Sequence, residues 1–391
     1  MVARSEYDVV IVGSGLVGST LALWLAKHTE HRVAVVEQSS PLKPNVNSNQ
    51  RVVALGKIAT DLLHDIGIFA DLGLAHCYPY ERMFVWDESS NGELEFHAKD
   101  SDCDQLGFMV DAQQCSVLLH NALQQSAQVE CFFNSSVTGL GFDCDLAEVR
   151  IDDAHALSTQ LLVGADGARS WVRQQAKIFA NHHSYSQQGI VAKVVTGAPH
   201  QDCAWQHFLS TGPVAILPLS NNESSIVWSA DTEVSNELMA MSAADFCRAL
   251  EAALDGRLGD VSLLSSRRCF PLHSLRAERY YKRNLVLVGD AAHAIHPLAG
   301  QGANLGFKDV LALGKLLHAA PPEEIGSPRL LQRFEALRKP DNQQTDLLMS
   351  ALYSIYRDTQ PFSMVMRGLG MNWINRSSAL RGLVANQAIG G

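Results

Sequence analysis

Three polar, glycine-containing segments carry most of the chemistry that the residue types of this chain permit. The first is Gly13-Ser14-Gly15-Leu16-Val17-Gly18, which follows an apolar run. Glycines at this spacing allow a tight turn, let a pyrophosphate approach the backbone, and let a helix pack closely on a strand. The free N–H groups at the start of that helix favour a negatively charged ligand. The segment predicts a dinucleotide site.

An acidic residue is placed to complete this site. Glu37 ends a second apolar strand, residues 32–36, and lies nineteen positions after Gly18. A carboxylate at this point accepts hydrogen bonds from ribose hydroxyls in dinucleotide-binding folds. The pattern alone does not decide between FAD and NAD, so both cofactors stay open at this stage.

The other two segments also follow apolar strands. Asp166 follows a strand near mid-chain and by itself could belong to any acidic turn, whereas Asp290 follows a strand in the last third. Residues 300–304 then open a predicted helix over residues 305–317. The N–H groups at such a helix start favour negative charge. Negative charge develops on the pyrimidine side of a reduced flavin, so this segment favours FAD.

The third segment belongs to a longer motif, His-Pro-Leu-Ala-Gly-Gln-Gly-x-Asn-x-Gly-x-x-Asp, over residues 296–309. The motif resembles, without a mismatch, the signature of the ubiquinone-biosynthesis hydroxylases within the group A FAD-dependent aromatic monooxygenases. Residues 51–55 are similar to the flavin-side arginine loop of that family, and segments within residues 205–229 are similar to its substrate-covering sheet. These latter segments look closest to the branch that hydroxylates ring carbon 5 of a prenylphenol.

The resemblance implies a monooxygenase reaction on a fold like that of p-hydroxybenzoate hydroxylase. It implies that NAD(P)H reduces FAD, that the reduced flavin captures O₂ as a C4a-hydroperoxide, and that one oxygen atom passes to the ring of a polyprenylated phenol. The cofactor carries this chemistry. The protein is therefore expected to bind the flavin, exclude water and position the ring, and no protein nucleophile is assigned.

The predicted cofactor-binding residues combine the three segments with the arginine loop. They are Gly13, Ser14, Gly15, Leu16, Val17, Gly18, Glu37, Arg51, Asp166, Asp290, Pro297, Gly300, Gln301, Gly302, Ala303 and Asn304. By resemblance, Asp290 binds the ribityl chain, the backbone of residues 300–304 faces the isoalloxazine ring, and Pro297 shapes the oxygen pocket.

Two cofactor contacts stay open. Asp111-Ala112 stands where the family usually has Glu-Asn, so a polar contact is either absent or supplied by Gln113. Asp166 is expected to serve FAD, the nicotinamide cofactor or both. The chain has one GxGxxG segment, so NAD(P)H is expected to bind transiently in a groove rather than in a Rossmann domain of its own.

The histidines near the motifs favour structural roles over proton transfer. His293 and His296 follow a strand end, where packing or hydrogen bonding is the commoner role. His182 and His183 have no third ligand at metal spacing, so no metal site is expected.

The elements that position these residues are predicted to form two interleaved domains and a tail, because 391 residues exceed the ~250–300 of one core. The predicted fold class is α/β: a Rossmann-like FAD-binding domain (1–75, 104–180 and 270–345), a mostly antiparallel substrate-binding sheet (76–103 and 181–269) and a helical tail (346–391). Pro340 is expected to interrupt the helices before the tail.

Composition excludes some partners. The net charge of −10 and pI near 5.8 argue against nucleic-acid binding. The eight cysteines include no C-x-x-C pair and are expected to be reduced thiols in a cytoplasmic protein. Glycines divide the uncharged run over residues 9–26 into a strand and a helix, so neither a signal peptide nor a transmembrane helix is expected.

A polyprenylated substrate implies access from a bilayer. Contact with the inner face of a membrane and membership of a ubiquinone-biosynthesis complex are therefore expected. The sequence leaves open whether the protein is a homo-oligomer. Residues 361–373 mix apolar residues with a polar face, a pattern more typical of core or oligomer contact than of a membrane surface.

Two alternative functions remain. One is a non-catalytic FAD-binding subunit of a quinone-biosynthesis complex. The other is a different FAD enzyme of the same fold, such as a prenyl reductase. A flavin halogenase is disfavoured because the chain has no Trp-x-Trp-x-Ile-Pro segment.

Overall fold

The computed structural model describes residues 7–43, 51–101, 103–143, 146–152, 155–296, 300–358, 360–378 and 380–382. The strands are β1 (Tyr7–Val12), β2 (Val33–Glu37), β3 (Val52–Leu55), β4 (Cys77–Tyr80), β5 (Arg82–Asp87), β6 (Glu93–His97), β7 (Gly107–Asp111), β8 (Val129–Phe133), β9 (Val137–Phe142), β10 (Ala147–Ile151), β11 (His155–Gly164), β12 (Ala180–Thr196), β13 (Cys203–Leu209), β14 (Gly212–Pro218), β15 (Glu223–Asp231), β16 (Val261–Leu263), β17 (Arg268–Ala277), β18 (Tyr281–Lys282), β19 (Leu285–Leu287) and β20 (His293–Ala294).

Most helices lie between strands of this list, whereas the last three follow one another in the C-terminal part of the chain. The helices are α1 (Leu16–His28), α2 (Lys57–Asp65), α3 (Phe69–His76), α4 (Ala112–Gln125), α5 (Trp171–Gln175), α6 (Thr232–Ala240), α7 (Ala243–Ala253), α8 (Gln301–Ala319), α9 (Pro328–Arg357) and α10 (Pro361–Asn375). No helix in the described part of the chain is long and apolar enough to cross a bilayer.

The first sheet has a parallel centre of β19, β11, β1, β2 and β8 in that order. The middle of this sheet is mostly apolar because side chains pack on both of its faces. Val12 of β1 pairs with Gly164 of β11, and Gly164 pairs with Leu287 of β19. The three strands end together, so the three motifs that follow them meet at one edge of the sheet.

The second sheet has nine strands in the order β20-β17-β12-β15-β14-β13-β5-β6, with β16 beside β12. Its described pairs are antiparallel except β13 with β5. Side chains alternate between its faces, and one face, which includes Ile216 and Ile226, packs with Phe246 of α7. Strands β3, β7 and β4 form a third, small sheet in that order.

This architecture confirms the predicted α/β class, with a Rossmann-like sheet, a mostly antiparallel second sheet and a helical C-terminal region. Strand β17 runs across the boundary placed at residue 270. The division of the chain into numbered domain ranges stays a prediction.

Helix α9 continues through Pro340, so the predicted interruption at this residue is wrong. A proline inside a helix removes one backbone hydrogen bond and crowds the preceding turn. Contacts on both sides of Pro340 hold the helix: Arg338 bonds to Asp309 of α8, and Asn342 donates to the Tyr280 hydroxyl. Tertiary bonds outweigh the local preference here.

Candidate active site

The first glycine segment adopts the turn that its spacing predicts. Gly13 has φ +103°, and a Cβ there would lie 2.5 Å from the carbonyl oxygen of Ala165. A Cβ on Gly18 would lie 2.0 Å from the carbonyl oxygen of Gly13, so only glycine lets α1 pack this closely on β1. A Cβ on Gly15 would meet nothing within 4 Å. The space beside Gly15 is open to a ligand at the N-terminus of α1.

Glu37 is held against the first turn. Its carboxylate accepts hydrogen bonds from the backbone N–H of Ser14 (2.8 Å), the Ser14 hydroxyl (3.1 Å) and the N–H of Ser39 (2.9 Å). Burial alone would raise the pKa of this carboxyl, but these bonds outweigh it and hold the pKa below its usual value. The carboxylate is ionised and lies beside the turn, as a ribose-binding acid requires.

His120 of α4 supports the same turn, and the sequence motifs did not identify it. Its Nδ1 accepts from the Leu42 N–H at 3.0 Å, so its Nε2 carries the proton and donates to the Ser14 carbonyl at 2.8 Å. The ring is buried and joins α4 to the glycine turn. No local pattern in the sequence marks this residue, because Ser14 is 106 positions away.

The second motif connects the first and third. Asp166 Oδ2 accepts from the N–H of Val172 at 3.0 Å, at the start of α5, whereas its Oδ1 is buried without a described partner. Arg173 donates to the carbonyls of Ala168 (2.9 Å) and Ala291 (2.7 Å). Asp166 thus has a structural role at the helix start, and its second oxygen is free to accept a hydrogen bond.

A buried ion network fixes the third motif. Asp309 is fully buried and accepts from the N–H of Gly289 (2.9 Å), from His293 Nε2 (2.6 Å) and from Arg338 Nε (2.8 Å). Burial opposes ionisation of Asp309, but His293 and Arg338 outweigh it and hold its pKa below the usual value. The network sets the backbone immediately before Asp290. Sequence reasoning missed Arg338, which lies on α9, outside every motif.

Asp290 itself points into open space. Its side chain lines the cavity described below and is accessible from that cavity. Burial raises the pKa of its carboxyl, and the nearby His293 and Arg51 only partly oppose the shift. Arg51 lines the same cavity. The carboxyl and the guanidinium can therefore contact one ligand.

Asn304 joins the start of α8 to the arginine loop. Its side chain accepts from the Gly56 N–H and donates to the Ala54 carbonyl, both at 2.9 Å. Gly300 is the N-cap of α8, with φ +64°. The helix start thus faces strand β3. Pro297 lies outside the described residues, and its predicted role is untested.

One continuous cavity of about 820 Å³ brings most of these groups together. The predicted residues that line it are Gly15, Leu16, Val17, Arg51, Asp290, Gly300, Gly302 and Ala303. The predicted residues that lie outside its described lining are Gly13, Ser14, Gly18, Glu37, Asp166, Gln301 and Asn304. The residues that line the cavity can contact a ligand directly. Gly13, Gly18 and Asn304 shape the turns and helices on which those residues lie.

The second sheet forms the other half of this cavity with small side chains. These are Val191, Ala204, Ala215, Ser225, Val227 and Ser229. Larger apolar residues, including Met83, Phe96 and Leu217, close its sides. Tyr80 and Gln206 also line this half, and neither side chain has a hydrogen-bond partner among the described residues. The surface suits a flat apolar ring that carries a few polar groups.

The histidines have protein partners. His293 donates to Asp309, and His296 Nε2 donates to the Gln187 side chain at 3.2 Å. Burial lowers the pKa of His296 to about 4, so its ring is neutral near pH 7.

Asp111 stands at the position where this sequence departs from the usual Glu-Asn of the family. Its side chain accepts hydrogen bonds from the N–H groups of Gln113 and Gln114 and caps α4.

Comparison with known proteins assigns the family. Residues 6–346 match the FAD binding domain family. The chain is 34% identical to 3-demethoxyubiquinol 3-hydroxylase of Escherichia coli over 98% of each chain. It is also 34% identical to the ubiquinone hydroxylase UbiL of Rhodospirillum rubrum, over 98% of this chain and 89% of the relative. The structure of PqsL from Pseudomonas aeruginosa with 2-aminobenzoylacetate has a TM-score of 0.79 and 25% identity, over 92% of this chain and 99% of that one. The chain belongs to the family of FAD-dependent monooxygenases that includes the ubiquinone-biosynthesis hydroxylases.

Proposed function

We propose that this protein hydroxylates the aromatic ring of a polyprenylated phenol in ubiquinone biosynthesis, with FAD as cofactor and NAD(P)H and O₂ as co-substrates. One observation carries the proposal: a single cavity joins the edge of the parallel sheet, where the three motifs meet, to the small-residue face of the second sheet. A cofactor and a flat substrate can therefore meet without crossing solvent.

The residues on the sheet edge fit FAD. The open space at Gly15 and the N-terminus of α1 suit the pyrophosphate, Glu37 suits the ribose, and Asp290 suits the ribityl chain. The buried Asp166 Oδ1 without a described partner offers a further acceptor. When bound, FAD supplies electron transfer from NAD(P)H and the activation of O₂.

The protein's own part is to place the ring and keep water away. Apolar side chains such as Phe96, Leu106 and Met109 enclose the substrate half of the cavity. A phenol hydroxyl needs a hydrogen-bond partner there because burial of an unpaired polar group is costly. Tyr80 and Gln206 are the groups that we assign to it. Burial raises the pKa of Tyr80, so its hydroxyl keeps its proton and can donate.

Substitution of Tyr80 by phenylalanine, or of Gln206 by leucine, is expected to raise KM for a short-chain prenylphenol about three- to tenfold, the loss of one hydrogen bond. FAD content should not change. Steady-state kinetics on the flavin-loaded variants measures this. Tyr78→Phe is the matched control, because the Tyr78 hydroxyl bonds to Asp202 at 2.6 Å and does not line the cavity. An unchanged KM in both cavity variants would contradict the assignment.

Substitution of Asp290 by alanine is expected to weaken FAD binding about tenfold, the value of one hydrogen bond, and to leave the chain folded. No described residue forms a hydrogen bond with this side chain. Asp290→Asn keeps an acceptor of the same shape and should retain most of the affinity. Flavin fluorescence titration measures both variants. Full retention of FAD by the alanine variant would contradict the role assigned to the third motif.

Turnover tests the function as a whole. The visible spectrum of the purified protein is recorded, and oxidation of NADH and NADPH is followed under oxygen with and without a short-chain prenylphenol. Flavin absorption with substrate-stimulated oxidation and a hydroxylated product supports the proposal. Flavin without turnover would instead favour a non-catalytic subunit. A product whose prenyl chain is reduced and whose ring is not hydroxylated would favour a prenyl reductase.

Product analysis also decides the ring position. The similarity of residues 205–229 favours ring carbon 5, whereas the Escherichia coli relative is named a 3-hydroxylase.

The proposal also includes a ubiquinone-biosynthesis complex, a homo-oligomer and a cytoplasmic site at the inner face of the membrane. A polyprenylated substrate, which partitions into bilayers, supports the membrane contact.

A further inference from the structure

Helix α10 carries its apolar side chains on the outside of the molecule. Phe362, Val365, Met366, Leu369 and Trp373 recur at helical spacing, and each is between 51% and 76% exposed. These five residues form the α10 stripe. Isolated exposed apolar residues are common on proteins, but a contiguous row of large ones marks a contact surface.

Polar groups hold the opposite face of α10 to the protein. Arg367 is buried and its Nε lies 3.0 Å from the Asp87 carboxylate. Asn372 and Asn375 accept from the N–H groups of Glu93 (3.3 Å) and Glu95 (3.1 Å) on β6, the edge strand of the second sheet. The orientation of α10 is therefore set by its polar residues, which leaves the stripe outward.

The charge around the stripe is unlike that of the rest of the chain. Residues 359–391 contain three arginines and no acidic residue, in a chain with net charge −10. Arg367 and Arg381 are paired with Asp87 and Asp100. Arg376 is exposed one turn after Trp373, and no ion pair holds it within the described residues. An apolar row that ends at a free cation suits an anionic bilayer surface.

Helix α10 also lies next to the substrate half of the cavity. Met371 on its inner face packs in one buried cluster with Phe96 of β6 and with Leu106, and both of these residues line the cavity. Helix α10 and the side chains beneath it would therefore separate a surface bound through the stripe from the proposed phenol site.

We propose that the α10 stripe docks the protein on an anionic lipid bilayer, which positions the cavity for a prenylated substrate held in that bilayer. The docking proposal depends on the proposed function only for the reason why the protein would bind a bilayer. The contact with lipid itself follows from the exposure, the charge and the orientation of α10.

The test is co-sedimentation of the full-length protein with phosphatidylcholine vesicles, with and without phosphatidylglycerol. Wild-type protein is expected to bind the mixed vesicles. The variant L369E/W373E is expected to bind at least about tenfold more weakly, because two apolar anchors become charges of the same sign as the surface. R376Q should weaken binding to mixed vesicles about fivefold and leave binding to phosphatidylcholine unchanged.

A matched control places the same charges elsewhere. Leu74 and Phe179 are 70% and 74% exposed and lie outside α10. The variant L74E/F179E is expected to bind vesicles as the wild type does. In addition, tryptophan emission should shift to the blue on vesicle binding, and W373F should lose that shift while it still binds.

Three results would overturn the docking proposal: no vesicle binding by the wild type, equal binding by L369E/W373E, or a concentration-dependent dimer that L369E/W373E abolishes. The third would assign the stripe to a second copy of the chain. Turnover of a short-chain prenylphenol in solution separates this test from the proposed function, because the stripe does not line the cavity. If turnover persists without vesicle binding, the docking proposal alone fails.

Discussion

Replacement of Arg338 by methionine is expected to lower the free energy of unfolding by about 3–5 kcal/mol, the cost of leaving a buried charge without its partner. Asp309 is fully buried, and Arg338 is one of its two cationic or donor side-chain partners beside His293, with Nε 2.8 Å from Oδ1. Methionine fills similar space but removes the charge together with the guanidinium hydrogen bonds to Asp309, Asp341 and Asn342. Urea unfolding of the apoprotein at pH 7, where Asp309 is ionised, measures the effect.

Two controls separate the buried pair from a general loss of arginine. R248M removes the partner of Asp245 in an exposed pair and should change the unfolding free energy by less than about 1 kcal/mol. The double variant D309N/R338M removes the buried charge as well as its partner, so part of the stability should return. A loss in R338M no larger than that in R248M would show that the network does not hold the third motif.

Substitution of Gly18 by alanine is expected to destabilise the FAD-binding sheet by about 3 kcal/mol and to abolish FAD binding, because overpacking against backbone cannot relax through a side chain. The new Cβ would lie 2.0 Å from the carbonyl oxygen of Gly13, so α1 would have to move away from β1. Unfolding by urea and flavin fluorescence titration measure the two effects.

Gly15→Ala is the matched control for this prediction. Its Cβ would meet nothing within 4 Å, and Gly15 is the N-cap of α1 with φ −66°. Stability should change by no more than about 1 kcal/mol, whereas FAD affinity should fall about tenfold to a hundredfold because the methyl occupies ligand space. If Gly15→Ala keeps full FAD affinity, the pyrophosphate does not bind beside this residue.

Much of the fold and of the cofactor half of the site could be predicted because the signals are local. Short apolar runs over residues 9–12, 161–163 and 285–288, which lead into Gly13, Asp166 and Asp290, predict parallel strands with polar ends. Parallel strands place their carboxyl ends at one edge of a sheet, and the three motifs meet there because β19, β11 and β1 are neighbours. The break predicted at Pro340 failed for the opposite reason, since bonds to Asp309 and Tyr280 outweigh a local preference.

The sequence by itself determined the family, the α/β class and the order of the motifs along the chain, because strand ends, glycine turns and helix starts are encoded within a few neighbouring residues. Only the tertiary structure brought His120 to Ser14 and Arg338 to Asp309, and turned Tyr80 towards the cavity. It also decided that Arg367 of α10 points inward and the apolar stripe outward. Helical spacing defines a face, but the partner that covers that face lies elsewhere in the chain.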